Sequence, residues 1–188
     1  MSINSRGVRR HNNSLLLAKK LLETSYYHIN LTTDIEGLEL AVAIKNAYAL
    51  AVSLAVGLSL KTGDILHYNS QAALFTQSVT EMKRLLLLFE CSDKNLAYGI
   101  GDLYVTVFGG RTRKIGTLLG KGYSFKEAMD ELRGITLESV VITERIGKAV
   151  LTCVELGKCS KESFPLLLHI YDVIMNNVTV DIPWKSFK

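Results

Sequence analysis

The feature that most constrains this chain is the run from Leu40 to Leu60, LAVAIKNAYALAVSLAVGLSL, in which Lys45 is the sole charged residue. Its length would cross a bilayer. It is built on alanine rather than leucine, however, carries Lys45 and Asn46 in its interior, and has no second apolar run beside it. Alanine lets helices approach closely, so the run is expected to form a central helix wrapped by other helices, with no membrane span. That expectation sets the fold class as all-α, a multi-helix bundle.

After Asp34 the apolar spacing is helical almost throughout. The central helix is expected over 36–60, and Thr62-Gly63-Asp64 leads to a second long helix over 70–89 with Asn69 as its cap. Shorter helices are expected at 93–98, 101–108 and 112–120. Ser124 and Glu127 form an S-x-x-E capping box opening a helix over 125–133. Another helix over 138–156 stops at Gly157, and a last one opens near Pro165 and ends by Asn176.

The N-terminal part differs. Residues 1–12 show no periodicity and are expected to be a mobile tail, followed by a short helix capped at Asn13 or Ser14 and running to about Glu23. Tyr26 to Leu31 then reads as a strand, and Asn177 to Ile182 as the one strong later strand that could pair with it. Either those two pair, or the first belongs to a sheet outside the chain. The domain division expected is 1–33 as tail, helix and strand, and 34–188 as the helical domain.

Composition narrows the function classes. The 188 residues suit one domain, and a net charge of +4, with basic residues interleaved among acidic ones, argues against a nucleic-acid-binding surface. Cys91, Cys153 and Cys159 lack C-x-x-C spacing and the four histidines are scattered, so no metal site is expected. The polar N-terminus shows no secretory signal, and with the odd cysteine count this makes a reducing cytoplasm the expected setting.

Two places can carry chemistry. Lys45 puts an ammonium inside apolar sequence, which is costly unless it meets a partner or a cavity. It either snorkels to the helix rim or pairs with a structural carboxylate, or it serves a dry pocket, where it could polarise or protonate a substrate carbonyl oxygen. Asn46 projects about 100° around the helix and need not share that face. The second place is GIGDLYVTVFGGRTRK, residues 99–114. Asp102 and Thr106 stand four apart on one helical face, and the di-glycine is followed by Arg111, Thr112, Arg113 and Lys114 at a helix start. Such a start, with guanidinium forks, suits a phosphate. A solvated basic turn is the other reading of RTRK. Gly99-x-Gly101 has no preceding strand and no third glycine at the required spacing, so it is not a dinucleotide fingerprint, and none occurs elsewhere in the chain.

Several spaced motifs together resemble one family. DIEGLELAVAIKN, residues 34–46, is similar to the D-x-x-G-x-E-x-x-x-x-x-K-N signature opening the helical domain of NAD(P)-dependent glycerol-3-phosphate dehydrogenases. Asn69-Ser70-Gln71-Ala72-Ala73-Leu74 with Glu81-Met82 resembles the next helix of that family. The 99–114 segment resembles its G-x-x-D-L-x-x-T-x-x-G-G-R-N-R-K block, and LLGKGYSFKEAMDEL is similar to the family's next stretch. The resemblance covers most of residues 25–175. It implies the 6-phosphogluconate dehydrogenase C-terminal-like helical fold and reversible hydride transfer between NAD or NADP and the pair dihydroxyacetone phosphate and glycerol 3-phosphate.

Under the resemblance, Lys45 is the catalytic lysine, Asp102 and Thr106 position it and the substrate hydroxyls, and Arg111 holds the phosphate. Asn46 and Thr112 join the substrate contacts, and Arg111 and Glu138 contact the coenzyme. The sequence departs from the family pattern in three places: Thr112 stands for asparagine, Ser139 for glycine, and Gln77-Ser78 for the Arg-Gly pair common in bacterial members. The family's Rossmann domain is expected to be missing upstream of Tyr26, with 26–31 as its last strand. The isolated chain is then expected to be inactive and to self-associate, as a homodimer or otherwise. Two other readings are a non-catalytic helical module that binds a metabolite or a partner, and a related dehydrogenase acting on another hydroxy acid. The arginine-rich turn disfavours the latter.

Overall fold

The structure is a computed structural model that describes residues 5–63, 66–133 and 137–187, with side chains from residue 13 onward. Residues 1–4 of the expected tail and Asp64 of the expected turn lie outside the described residues. Eight α-helices are described: α1 (Ser5–Leu22), α2 (Ile35–Thr62), α3 (Tyr68–Leu88), α4 (Leu96–Val107), α5 (Gly110–Lys121), α6 (Phe125–Glu131), α7 (Glu138–Glu155) and α8 (Pro165–Met175). Short 3-10 turns occupy Lys161–Ser163 and Trp184–Ser186. The chain divides into two compact units, Met1–Ile35 and Glu36–Lys188.

In the first unit the helix begins at Ser5, so Asn13 and Ser14 lie inside it rather than capping it, and the tail is shorter than expected. The strand expected at Tyr26 to Leu31 does not form, and no strand occurs among the described residues. Its backbone is satisfied by side chains instead: Ile29 N donates to Glu23 Oε1 at 3.2 Å, and Lys19 Nζ donates to Ile29 O at 2.7 Å. Thr24 Oγ1 accepts from Tyr27 N at 3.0 Å.

In the second unit α2 is the hub. Every residue from Ala47 to Gly57 is buried, as the alanine-rich run requires. The helix is long and apolar enough to cross a membrane, yet most of its apolar window is buried within the fold. Its tightest neighbour is α5. A Cβ on Gly120 would lie 2.2 Å from Leu54 O, and one on Gly116 2.7 Å from Leu50 O, so the two backbones touch with no side chain between them. α4 approaches the other end of α2, where a Cβ on Gly99 would lie 2.8 Å from Ala41 O. That contact explains why the helices expected at 93–98 and 101–108 are one continuous helix: Gly99 is a packing residue, not a break.

Local signals set the remaining boundaries. Ser124 caps α6 with both halves of the capping box in place: Ser124 N donates to Glu127 Oε2 at 2.8 Å and Glu127 N to Ser124 Oγ at 3.3 Å. Two donors of Ser124 hold the Glu127 carboxyl below its usual range, first the hydroxyl, which donates to Oε2 at 2.7 Å, and then the backbone N–H. Gly157, at φ 69°, follows the end of α7. Pro165 opens α8. α3 starts at Tyr68 after His67 rather than behind an Asn69 cap. The second expected strand, Asn177 to Ile182, also runs without a ladder. It is fastened to helices: Val178 N donates to Asp172 O at 3.3 Å, Asp181 N to His169 Nε2 at 3.3 Å, and Asn177 Oδ1 accepts from Phe125 N at 3.2 Å.

The buried charge of the core is Glu81 on α3, which is fully buried. It accepts four hydrogen bonds, from Leu166 N at 2.8 Å, Leu167 N at 2.9 Å, Gln77 Nε2 at 2.8 Å and Tyr48 OH at 3.1 Å. One carboxylate thus serves the otherwise unpaired first N–H groups of α8 and ties α8 to α2 and α3. Burial pushes the Glu81 carboxyl above its usual range, against the lowering effect of these donors.

Candidate active site

Three groups of residues line one end of the helical unit. The first is centred on Lys45, near the start of α2. Its Nζ lies 2.7 Å from Asp102 Oδ2 and donates to Thr106 Oγ1 at 3.2 Å. The sequence put Asp102 and Thr106 on one face of a helix, and both turn to the lysine. Thr106 Oγ1 also donates to Asp102 O at 2.7 Å, one turn back along α4. With its proton committed there, the hydroxyl presents a lone pair to the ammonium, so the Lys45 head is fixed by one charged and one neutral acceptor. The lysine side chain is 14% exposed and the aspartate 42%, so the pair is sheltered on the lysine side and open on the other.

The second group lies around Asn46. The next residue around the helix from Lys45, it donates from Nδ2 to Glu138 Oε2 at 3.3 Å, joining the start of α2 to the start of α7. A trough of about 560 Å³ opens here, walled by Leu38, Val42 and Ala43 of α2 and by Val141 and Ile142 of α7, with Glu39, Asn46 and Glu138 as polar groups. Lys45 is seven residues after Leu38, about 20° short of two full turns, and so falls at the edge of the same helix face.

The third group is the turn at the start of α5. Arg111 and Thr112, with Leu137 and Glu138, line a hollow of about 250 Å³. Glu138 therefore bounds both hollows. Arg111 is exposed and Thr112 half-buried. Arg113, grouped with them in the sequence, is engaged elsewhere: its Nη1 donates to Val107 O at 2.6 Å. Ser139, beside Glu138, is fully buried, and its Oγ has no hydrogen-bond partner among the described residues.

Residues 34–184 match the family model for the NAD-dependent glycerol-3-phosphate dehydrogenase C-terminus. The chain belongs to that family. Among curated proteins it is 37% identical over 122 residues to the NADP(+)-dependent glycerol-3-phosphate dehydrogenase of Archaeoglobus fulgidus, covering 62% of this chain and 36% of that protein. It is 34% identical over 164 residues to the glycerol-3-phosphate dehydrogenase [NAD(P)+] of Bacillus cereus, covering 85% of this chain and 44% of that protein. Among solved structures, glycerol-3-phosphate dehydrogenase from Coxiella burnetii matches with a TM-score of 0.70 and 24% identity, covering 95% of this chain and 50% of that one. The chain spans less than half the length of these curated relatives, and the Coxiella likeness shows that the two share a fold.

Within this glycerol-3-phosphate dehydrogenase C-terminal domain, sequence reading located the side chains around Lys45 but missed what Glu81 does. Gln77 four residues before Glu81 was a local signal for it, since the amide reaches the carboxylate across one helical turn. The other donors, Tyr48, Leu166 and Leu167, are remote in sequence.

Proposed function

We propose that this chain binds dihydroxyacetone phosphate and glycerol 3-phosphate and provides the proton-transfer half of their NAD(P)(H)-linked interconversion. The observation that carries the reading is Lys45, an ammonium held by Asp102 and Thr106, whose neighbour Asn46 lines the trough. A lysine pinned there can give a proton to a carbonyl oxygen and take it back from the alcohol, while Asp102 keeps the charged form oriented. Arg111, with the N–H groups of the first turn of α5, suits the phosphate. Thr112 adds a hydroxyl where the family pattern has an amide.

The lining of the trough suits a nicotinamide: Leu38, Val42, Val141 and Ile142 offer aliphatic contact, and Asn46, Glu39 and Glu138 offer a donor and acceptors for a carboxamide. When bound, the coenzyme supplies or accepts the hydride. The protein's own part is to exclude water along Leu38, Val42, Val141 and Ile142 and to hold the proton on Lys45 Nζ. The 188 residues contain no glycine fingerprint, so the reading assigns the coenzyme's pyrophosphate to residues outside them.

Titration of the chain with glycerol 3-phosphate, followed by nuclear magnetic resonance, tests the reading. Binding should be saturable and lost in Arg111→Ala. NADH consumption with dihydroxyacetone phosphate should be absent for the 188 residues alone and appear when a nucleotide-binding domain is supplied. Unchanged binding in Arg111→Ala, or turnover by the chain alone, would contradict it.

A further inference from the structure

We propose that Arg113 is a positioning residue, a clamp on the α4–α5 corner that sets the separation between the Lys45 proton site and the anion-binding turn; the inference rests on the substrate reading above. α4 ends at Val107, and the chain turns through Phe108 and Gly109, at φ −161°, into Gly110, at φ +75°, the first residue of α5. A Cβ on either glycine would meet nothing within 4 Å, so open space lies on that side of both residues. Two successive glycines also leave the backbone its greatest freedom. The joint between the two halves of the site is the loosest kind of link a chain can make.

The contact between α5 and α2 lies farther along the helix. That contact grips α5 at Gly116 and Gly120, whereas Arg111 and Thr112 lie in the first turn, ahead of it. What bridges the joint is the 2.6 Å hydrogen bond from Arg113 Nη1 to Val107 O. Val107 belongs to the last turn of α4, where carbonyls lack helical partners and the helix dipole is negative, so a guanidinium is favoured there. The bond starts two residues after Arg111 and ends one residue after Thr106. One side chain therefore fixes the phosphate turn relative to the acceptor of Lys45.

A ligand that fills only the anion turn should be indifferent to this spacing, and a ligand that spans both halves should not. The test compares inorganic phosphate with glycerol 3-phosphate on the full 188-residue chain, by nuclear magnetic resonance titration, for the wild type, Arg113→Ala and Arg113→Lys. Arg113→Ala should raise the Kd of glycerol 3-phosphate about tenfold while that of phosphate stays within about twofold, and Arg113→Lys should recover most of the loss. Backbone order parameters at Gly109 and Gly110 should fall in Arg113→Ala. Equal losses for the two ligands, or unchanged order at the glycines, would overturn the clamp. A wild-type chain that binds neither ligand would instead refute the substrate reading, and the glycine order parameters would still decide whether Arg113 holds the corner. Should Arg113→Ala unfold, Arg113→Lys, whose single-point donor replaces a planar fork, gives the same comparison at smaller amplitude.

Discussion

Lys45 Nζ sits 2.7 Å from Asp102 Oδ2, joining α2 to α4 across residues remote in sequence. Because the aspartate is partly exposed, water screens the pair and its worth to folding is about 1 kcal/mol or less. In the proposed reaction its worth is larger. Asp102→Asn should leave the thermal midpoint nearly unchanged yet lower kcat of the assembled enzyme by about a hundredfold or more, with Lys45→Met lower still. Calorimetry and steady-state kinetics on the same samples check both halves of this expectation.

Glu81 should make folding stability depend on pH. Its carboxyl is raised above the ordinary value of 4.5, so the folded state holds this proton more tightly than the unfolded chain does. Its contribution is fully present below the unfolded value and is lost as pH rises through the raised folded value. Urea midpoints measured across that window should show this loss in the wild type and not in Glu81→Gln. The same variant should be less stable by about 1–3 kcal/mol where Glu81 is ionised in the folded state, since an amide cannot satisfy all four donors.

Two glycine-to-alanine substitutions should move stability in opposite directions. At Gly120 the added Cβ would meet Leu54 O at 2.2 Å, backbone against backbone, and a cost of about 2 kcal/mol or more is expected. At Gly101, inside α4, it would meet nothing within 4 Å, and the better helix former should add roughly 0.5–1 kcal/mol. Denaturant unfolding of both variants decides the pair.

We also propose that the chain self-associates through the outer face of α4. Tyr98, Tyr104, Val105 and Phe108 are all exposed, and the Tyr104 and Phe108 rings meet edge to face at 4.8 Å. An aromatic face of this kind favours a partner over water. Sedimentation should show mass rising with concentration, and Tyr104→Ser with Phe108→Ser should reduce it. A wild-type chain that stays monomeric at high concentration would refute this.

What the sequence made legible was local. The α2 hub followed from one alanine-rich run, the α6 start from Ser124 and Glu127, and the α7 end from Gly157. Asp102 and Thr106 were recognised because helical spacing alone puts them on one face. What escaped depended on remote partners. Tyr26 to Leu31 and Asn177 to Ile182 have strand-like composition, but neither has a neighbouring strand, and side chains such as Glu23 and His169 take their backbone groups. Gly99 looked like a helix break because its contact with Ala41 is invisible along the chain. Arg113 looked like one more anion ligand because its acceptor, Val107 O, is a backbone atom that no pattern of side chains marks.

Glu138 bounds both the trough beside Asn46 and the hollow beside Arg111. A guest in either must come to terms with the same carboxylate, and the side chain can satisfy only one arrangement at a time. Any coupling that Glu138 creates between the two is reciprocal: whatever factor the first guest imposes on the affinity of the second, the second imposes on the first. A single acidic side chain in the wall between two chambers is enough to make their contents interdependent.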